Sequence, residues 1–397
     1  MLTAFVVCLL LLPQAPSSAP ARDLEAILRT EPSCSEVLEN AKAHRLQVLL
    51  AEPVVGADGA ITLRRSQLGD ARQYFYPASS IKLCGAIAAL LKLNEHNRKQ
   101  GTAVGLHSRW VIEPRFVGDQ RVEVDASNLV DGVLTVEHAL KKLFLVSDNA
   151  AYNHCFDLCG QDGINTAMWA GGFASTRMWH RLSESRTLAE NAVTRTVKVG
   201  EVAFTAREAA AKLQNDLWHE LDVGTGYKNG ESVVATPMSF AQKNAILLQD
   251  LQDVLIEVVR PEIDTGKRGF PELTREQRAF VVSSLGQLPS ESGNPKFDAT
   301  KVPDHFCKFV LRGITDVVPP PWLRIYDKIG RAYGFSIENA WVEDRRTGRG
   351  FFLAIVLYTN PDGVLNDDQY AYATIAEPFL NAAGRAIARS MFDGLPR

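Results

Sequence analysis

The chain has 397 residues, of which 43 are basic and 46 acidic, so its formal net charge is -3. A charge this close to neutral provides no field that gathers nucleic acid or an anionic membrane surface. Hydrophobic residues make up 46% of the sequence, which is enough to form the core of one large domain or two by the usual size of about 100 to 200 residues. We therefore expect a soluble globular protein without a nucleic-acid partner.

Residues 1–21 are predicted to be an export signal. An apolar stretch at 5–12 precedes Ala19, Pro20 and Ala21, a small-x-small pattern that a signal peptidase reads in front of Arg22. No Lys or Arg stands before the stretch, and about 12 apolar residues are too few to span a bilayer as a helix. We expect a secreted or periplasmic protein with no stable membrane span once the signal is removed, the alternative being an N-terminal anchor.

The cysteines and histidines predict neither a metal nor a cofactor. Five cysteines follow the signal, an odd number, and their spacings match no zinc motif. The eight histidines form no H-E-x-x-H pattern or similar cluster. One helical turn separates Cys155 from Cys159, and we interpret both as small buried packing residues.

Short helices at 22–31 and 34–43 and strands at 46–50 and 61–63 are predicted to lead into a long apolar helix from 79 to about 97. Ser79 lies in the first turn of that helix, where unpaired N–H groups and the positive dipole end favour a developing negative charge. Lys82 lies on the same face, and a half-buried lysine loses its charge more readily than one in water. The pair predicts a nucleophile with its base, the structural alternative being a capping serine beside a snorkelling lysine.

The next stretch is predicted to be a helical lobe. After a small strand pair at 110–112 and 121–124, Thr135 opens a helix that ends near 145, and further helices follow at 150–158 and 163–170. Ser147, Asp148 and Asn149 are thereby placed in a loop between two helices. Residues 190–320 are predicted to be an enlarged, mainly helical insertion, with helices at 206–221, 238–259 and 274–285.

The C-terminal third alternates like a sheet. A strand at 323–329 carries Lys328 and leads to Gly330, and strands at 335–343 and 350–358 follow, joined by a turn at 345–348. A final amphipathic helix is predicted at 368–391.

Three short motifs occur in order: Ser-x-x-Lys at 79–82, Ser-Asp-Asn at 147–149 and Lys-Ile-Gly at 328–330. This set resembles the Ser-x-x-Lys, Ser-Asp-Asn and Lys-Thr-Gly motifs of class A serine beta-lactamases and penicillin-binding proteins. The resemblance implies an α+β fold of the beta-lactamase/transpeptidase type, in which a helical lobe lies beside an antiparallel sheet covered by the N- and C-terminal helices. It also implies one catalytic domain over 22–397, with the active site in the cleft.

The resemblance further implies a role for each motif residue. Ser79 would be the acylated nucleophile, Lys82 its proton acceptor and Ser147 the relay of a proton to the leaving nitrogen. Asn149 would hold the amide side chain of the substrate and the Lys82 ammonium group, while Asp148 would brace the loop.

On the strand side, Lys328 would attract the substrate carboxylate and stay charged, and Gly330 would let the substrate backbone approach closely. The oxyanion hole would consist of the N–H groups of Ser79 and Arg331. Ile329 departs from the motif by removing a hydroxyl whose hydrogen bond to a carboxylate is worth about 1.5 to 3 kcal/mol. Arg331 or Arg324 could supply part of that anchor.

A second departure concerns deacylation. Class A enzymes carry a Glu-x-x-Leu-Asn loop after Ser-Asp-Asn, and the counterpart at 176–191 has Glu184 and Glu190 without the full pattern. Either carboxylate could activate water or simply be solvated. Three functions stay open: a beta-lactamase that opens beta-lactam amides through a Ser79 acyl-enzyme, a D,D-peptidase or penicillin-binding-type hydrolase of peptides or esters, and a non-catalytic ligand-binding descendant.

Overall fold

A computed structural model describes residues 20–392. The predicted export signal at 1–21 therefore lies almost wholly outside the described residues. The strands are, in chain order, β1 (Gln47–Val55), β2 (Ile61–Leu68), β3 (Trp110–Ile112), β4 (Val197–Val199), β5 (Val202–Phe204), β6 (Asp222–Val223), β7 (Gly226–Asn229), β8 (Ser232–Val234), β9 (Met238–Ser239), β10 (Leu323–Asp327), β11 (Gly330–Ala332), β12 (Phe335–Asp344), β13 (Arg349–Tyr358) and β14 (Val364–Leu365). The α-helices are α1 (Leu24–Leu28), α2 (Ser35–Glu39), α3 (Lys82–Gln100), α4 (Val136–Leu145), α5 (Asn149–Ala170), α6 (Leu188–Ala192), α7 (Leu248–Val259), α8 (Arg275–Gly286), α9 (Leu311–Thr315) and α10 (Glu377–Phe392).

The main sheet is antiparallel, with the order β10-β12-β13-β1-β2 and the short strand β11 paired to β12. Its central strand β13 is buried on both faces, and alternate residues enter two different cores because successive side chains of a strand point to opposite sides. Phe352 and Ala354 pack toward the helical lobe, whereas Leu353 and Ile355 pack toward α1 and α10. The sheet is thus the middle layer of the molecule.

The helical lobe is built on α3 and α5. Gly85 of α3 makes their close approach possible, because a Cβ there would lie 2.8 Å from the Tyr152 ring. Gly160, with φ 69° and ψ 172°, is a kink that divides α5 into two helical pieces, as predicted. Thr135 caps α4 as predicted, accepting a hydrogen bond from the His138 N–H.

The segment from 190 to 247 differs from the prediction, since it consists mostly of short strands and loops. The helix predicted at 206–221 is absent because its backbone groups find partners elsewhere: the Asp162 carboxylate accepts from the N–H groups of Ala210 and Ala211. The helix predicted at 238–259 begins only at Leu248, and Met238–Ser239 instead pairs with β6. The helix predicted at 274–285 is α8, opened by a Thr274 capping box.

Smaller differences occur elsewhere. β3 pairs with β4, and its contact with the predicted strand at 121–124 is a single bridge between Ile112 and Val122. The final helix α10 begins at Glu377 after a π-helical turn at Tyr372–Ala376, rather than at 368. Within residues 20–392, no helix combines the length and the apolar character that a membrane crossing requires. The five cysteines in this part of the chain are free and buried.

Candidate active site

The nucleophile segment is a 3₁₀ turn, Ala78–Ile81, that leads directly into α3. Ala78 has a φ of 49°, a sparsely populated conformation for a residue with a Cβ. Ser80 is buried and its hydroxyl donates to the Pro77 carbonyl at 2.6 Å. Ser79 lines the cleft, and its hydroxyl has no hydrogen-bond partner in the described part of the chain. The sharp turn thus separates a structural serine from one that is open to reaction.

Lys82 is fully buried beside this turn. Its ammonium group donates to Asn149 Oδ1 at 2.6 Å, to the Ser147 carbonyl, and to Ser147 Oγ at 3.3 Å. Burial, reinforced by the positive charge of Lys328, lowers the pKa of Lys82 well below the ordinary lysine value. The neutral amine that a general base requires is therefore stabilised at this position.

Lys328 approaches the same serine from the sheet. Its ammonium group donates to Ser147 Oγ at 2.8 Å and to the Ile329 carbonyl at 3.1 Å. Burial also lowers the pKa of Lys328, although the nearby thiol and carboxyl groups of Cys307 and Asp327 oppose the shift. Ser147, with a φ of 58°, is therefore held between two amines, as a proton relay requires.

Asn149 opens α5 and links the lysine to a neighbouring loop. Its Oδ1 accepts from Lys82, and its Nδ2 donates to Ser183 Oγ at 2.9 Å. Asp148 caps α5 by accepting from the Ala151 N–H at 2.8 Å, which fits the bracing role expected of it. Sequence reasoning missed Ser183; the only signal for it was its position inside the loop in which a carboxylate was sought.

Gly330 packs against the nucleophile turn. A Cβ on Gly330 would lie 2.5 Å from the Pro77 carbonyl oxygen and 3.1 Å from the Ser79 nitrogen. The glycine is therefore required for this approach of β11, while its expected role toward the substrate backbone stays a prediction.

The backbone N–H of Arg331 is not used by the ladder between β11 and β12. Tyr333 and Gly334, with φ values of 53° and 80°, form a two-residue turn between these strands, and Ala332 pairs with Phe335 next to it. Pairs in an antiparallel ladder alternate, so the following pair of Arg331 with Ser336 is not hydrogen-bonded across the ladder. The Arg331 N–H therefore points away from β12 and is free of the sheet, which the expected oxyanion role requires.

The side chain of Arg331 enters a cavity of about 340 Å³ on the Lys328 side of the nucleophile. Its guanidinium group lies 4.4 Å from the Phe309 ring centroid and pairs with Glu377 at 3.2 Å. The cavity also contains Ser79, Ser147, Ile329, His305 and Arg312. Arg324, the other arginine considered as an anchor, instead binds Glu291 and the Gly286 carbonyl.

The two candidate deacylation bases are both engaged elsewhere. Glu184 accepts hydrogen bonds from Arg186, Arg195 and Asn153, and the arginines help to lower its pKa against the effect of burial. Glu190 forms the capping box of α6 with Thr187. Within residues 20–392, neither carboxylate hydrogen-bonds to Lys82, Ser147 or Asn149.

Glu184 belongs to a set of ion pairs that we call the arginine cluster. Arg181 is fully buried and pairs with Asp157 at 2.5 Å, and Arg195 pairs with Asp157 at 2.9 Å. Three guanidinium groups also face the Phe116 ring at 4.4 to 5.4 Å from its centroid. The cluster consists of Asp119, Asp157, Arg181, Glu184, Arg186 and Arg195.

Comparisons with known proteins agree with this architecture. A model of the beta-lactamase enzyme family matches residues 65–222. The structure of a beta-lactamase from Desulfarculus baarsii is similar with a TM-score of 0.52 at 17% identity, covering 95% of this chain and 100% of that one. A beta lactamase from Burkholderia vietnamiensis gives a TM-score of 0.51 at 14% identity, covering 96% and 100%. Among curated protein sequences nothing matches. The resemblance that the motifs indicated and the beta-lactamase/transpeptidase-like fold are both confirmed.

Proposed function

We propose that this chain, a member of the beta-lactamase family with the beta-lactamase/transpeptidase fold, is a serine hydrolase that opens beta-lactam amides through an acyl-enzyme on Ser79. The observation that carries the proposal is the buried amine of Lys82, held by Asn149 and Ser147 three residues after Ser79, whose hydroxyl has no hydrogen-bond partner among residues 20–392. A desolvated amine that accepts the serine proton would activate this weak nucleophile.

In the acylation step, Ser79 Oγ attacks the lactam carbonyl carbon and its proton passes to Lys82. The negative charge that develops on the carbonyl oxygen is stabilised by the N–H groups of Ser79 and Arg331. The C–N bond then breaks, and the leaving nitrogen receives a proton through Ser147, which is resupplied by Lys82. The product is an ester on Ser79 and a free amine.

The cavity on the Lys328 side suits a substrate carboxylate. Arg331 lines it, and Lys328 donates to Ser147, another lining residue. We assign Arg331 to replace the hydroxyl that Ile329 removes. A guanidinium group can bind a carboxylate through two parallel hydrogen bonds, which a lysine cannot do.

Release of the acyl group is proposed to be slow. Hydrolysis of the ester needs a base that activates water, and the group that contacts the Asn149 amide is the Ser183 hydroxyl rather than a carboxylate. This same contact favours a second candidate function, a D,D-peptidase or penicillin-binding-type hydrolase that passes its acyl group to an amine or to water only slowly.

Nitrocefin turnover, measured together with intact-mass trapping by benzylpenicillin, tests the proposal. Turnover supports the beta-lactamase and a long-lived adduct supports the peptidase-type enzyme, while neither would contradict both and favour a non-catalytic descendant. Ser79→Ala should abolish the adduct, and Ser80→Ala serves as the matched control that retains it. An adduct that followed Ser80 would overturn the choice of nucleophile.

We also propose that the protein is exported, which would place it in the compartment that beta-lactams and wall peptides reach. The support is the apolar and small-x-small pattern of residues 1–21. N-terminal sequencing of the protein from its native source should begin at Arg22, and an intact Met1 in a cytosolic fraction would contradict export.

A further inference from the structure

A second cavity, of about 810 Å³, adjoins the Asn149 side of the site. Ser183, which accepts the hydrogen bond from Asn149, lines it, and so does Tyr76, three residues before the nucleophile. Its wall is aromatic: the His180 and Tyr76 rings stack at 6.1 Å, and Tyr333 meets Tyr76 edge-on at 5.1 Å. Asn149, which the motif resemblance assigns to the amide side chain of the substrate, is linked to this cavity through Ser183.

One cation in the lining lacks a counter-charge. Arg181 and Arg186 also line the cavity, but the carboxylates of the arginine cluster pair with both of them. Glu184, the carboxylate in the described lining, is occupied by the same cluster. The ammonium group of Lys243 forms no ion pair or hydrogen bond with any residue from 20 to 392.

Lys243 is nevertheless held in position and partly desolvated. Its carbonyl accepts a hydrogen bond from Asn215 Nδ2 at 2.9 Å, which fixes the backbone of the segment. Burial lowers the pKa of Lys243, with no nearby carboxylate to oppose the shift. An anion that entered the cavity would restore the interaction that the ammonium group lost on leaving water.

His180 forms part of the wall of the cavity beside Lys243. Its Nδ1 lies 2.6 Å from the Arg181 carbonyl, which identifies that nitrogen as the protonated one. Its Nε2 is buried and has no hydrogen-bond partner among residues 20–392. Burial, to which the nearby charge of Lys243 adds, lowers the pKa of His180 to about 4, so the ring is neutral at pH 7.

We propose that this cavity binds the acyl side chain of the substrate and that Lys243 selects side chains that carry a carboxylate. The inference rests on the proposed acylation of Ser79 and specifies its substrate class. A charge-assisted hydrogen bond of this kind corresponds to a preference of about tenfold or more.

Cephalosporin C and cephalothin test the proposal, because they share a nucleus and a leaving group while only the first has a carboxylate in its side chain. The second-order rate of acylation is measured for the wild type, for Lys243→Met and for Lys243→Arg. We expect Lys243→Met to slow acylation by cephalosporin C about tenfold and to change that by cephalothin less than about twofold, with Lys243→Arg close to wild type. Lys212→Met, at an exposed position, is the control for loss of a charge.

Equal losses on both compounds, or no loss on either, would overturn the selectivity. If neither compound acylates the wild-type protein, the proposed function is wrong, and this result does not decide the subsite. The subsite is then decided by calorimetric binding of both compounds to Ser79→Ala with and without Lys243→Met. A Lys243-dependent preference for cephalosporin C would support the subsite, and its absence would reject it.

Discussion

Two groups of charged side chains lie on either side of Asn149 and are built in opposite ways. Lys82 and Lys328, which we call the lysine pair, are buried around one hydroxyl, and no carboxylate hydrogen-bonds to either ammonium group within residues 20–392. The arginine cluster instead balances three guanidinium groups with three carboxylates. The first arrangement lowers the pKa values of both lysines and prepares proton transfer, whereas the second pairs each guanidinium group with a carboxylate and fixes the loop at 180–195. Burial alone therefore does not distinguish the two groups; the absence of a paired carboxylate does.

The largest expected effect is on the acylation rate, and it differs between substitutions of Lys82 and of Lys328. Lys82→Arg should reduce acylation about a thousandfold on every substrate, because a guanidinium group cannot accept the serine proton. Lys328→Arg should reduce it about tenfold, and only for substrates with a carboxylate. The measurement is the acylation rate of both variants with benzylpenicillin and with a neutral nitrophenyl ester. Equal losses for both variants on both substrates would show that the lysines do not divide the work in this way.

Removing one carboxylate of the arginine cluster should lower the stability of the fold. Asp157→Ala leaves Arg181 buried and unpaired, so we expect the free energy of unfolding to fall by about 3 kcal/mol or more. Urea unfolding measures this loss. Asp216→Ala is the matched control, since Asp216 is 63% exposed and lies 3.8 Å from Arg177, and it should cost less than about 1 kcal/mol. A cost for Asp157→Ala no larger than that of the control would contradict the structural role of the cluster.

A carboxylate introduced at the contact with Asn149 should speed deacylation. Ser183→Glu places a base where the Ser183 hydroxyl now meets the Asn149 amide, and we expect the acyl-enzyme to decay about tenfold faster. The decay of the benzylpenicillin adduct by intact mass is the measurement. Ser185→Glu adds the same charge two residues away and should leave the lifetime unchanged. Equal acceleration in both variants would indicate a general effect of charge.

The smallest effect concerns pH. Because the pKa of Lys82 is lowered in the fold, its neutral form should appear, and acylation should rise, at a pH well below the ordinary lysine value of about 10.4. Lys328→Met removes the neighbouring cation, so the rising limb should move to higher pH, yet remain below that of a free lysine because burial is the larger cause. The rising limb of the wild type and that of Lys328→Met are both measured from the pH dependence of the acylation rate with the neutral ester. A limb that does not move would show that the two ammonium groups are not coupled.

The sequence predicted the parts of the site that depend on local spacing. Ser79 and Lys82 are three residues apart at the start of a helix, and Thr135 and Gly160 mark helix boundaries through local chemistry, so each was readable from its neighbours. The antiparallel strands β12 and β13 were readable for the same reason, because one turn joins them.

The remainder depends on contacts between distant segments. Ser183 is significant only because the fold brings it to Asn149, 34 residues earlier in the chain. The helix predicted at 206–221 is absent because the N–H groups of Ala210 and Ala211 donate to the distant Asp162 carboxylate, which no local pattern reveals. The contact of Gly330 with Pro77 joins segments more than 250 residues apart, so no local pattern predicts it.

That contact of Gly330 has a consequence for how substrate range can change. The proposed oxyanion hole would join one N–H from the helical lobe and one from the sheet, and Gly330 lets the two elements approach each other. Any side chain at 330 would collide with the nucleophile turn and separate the two N–H donors. We therefore expect substitutions at 330 to reduce acylation of Ser79. Residues at 303–312 line one cavity and residues at 238–243 line the other, away from this contact. We therefore expect changes of substrate range to arise from substitutions in these two segments, while the contact of Gly330 with Pro77 stays unchanged.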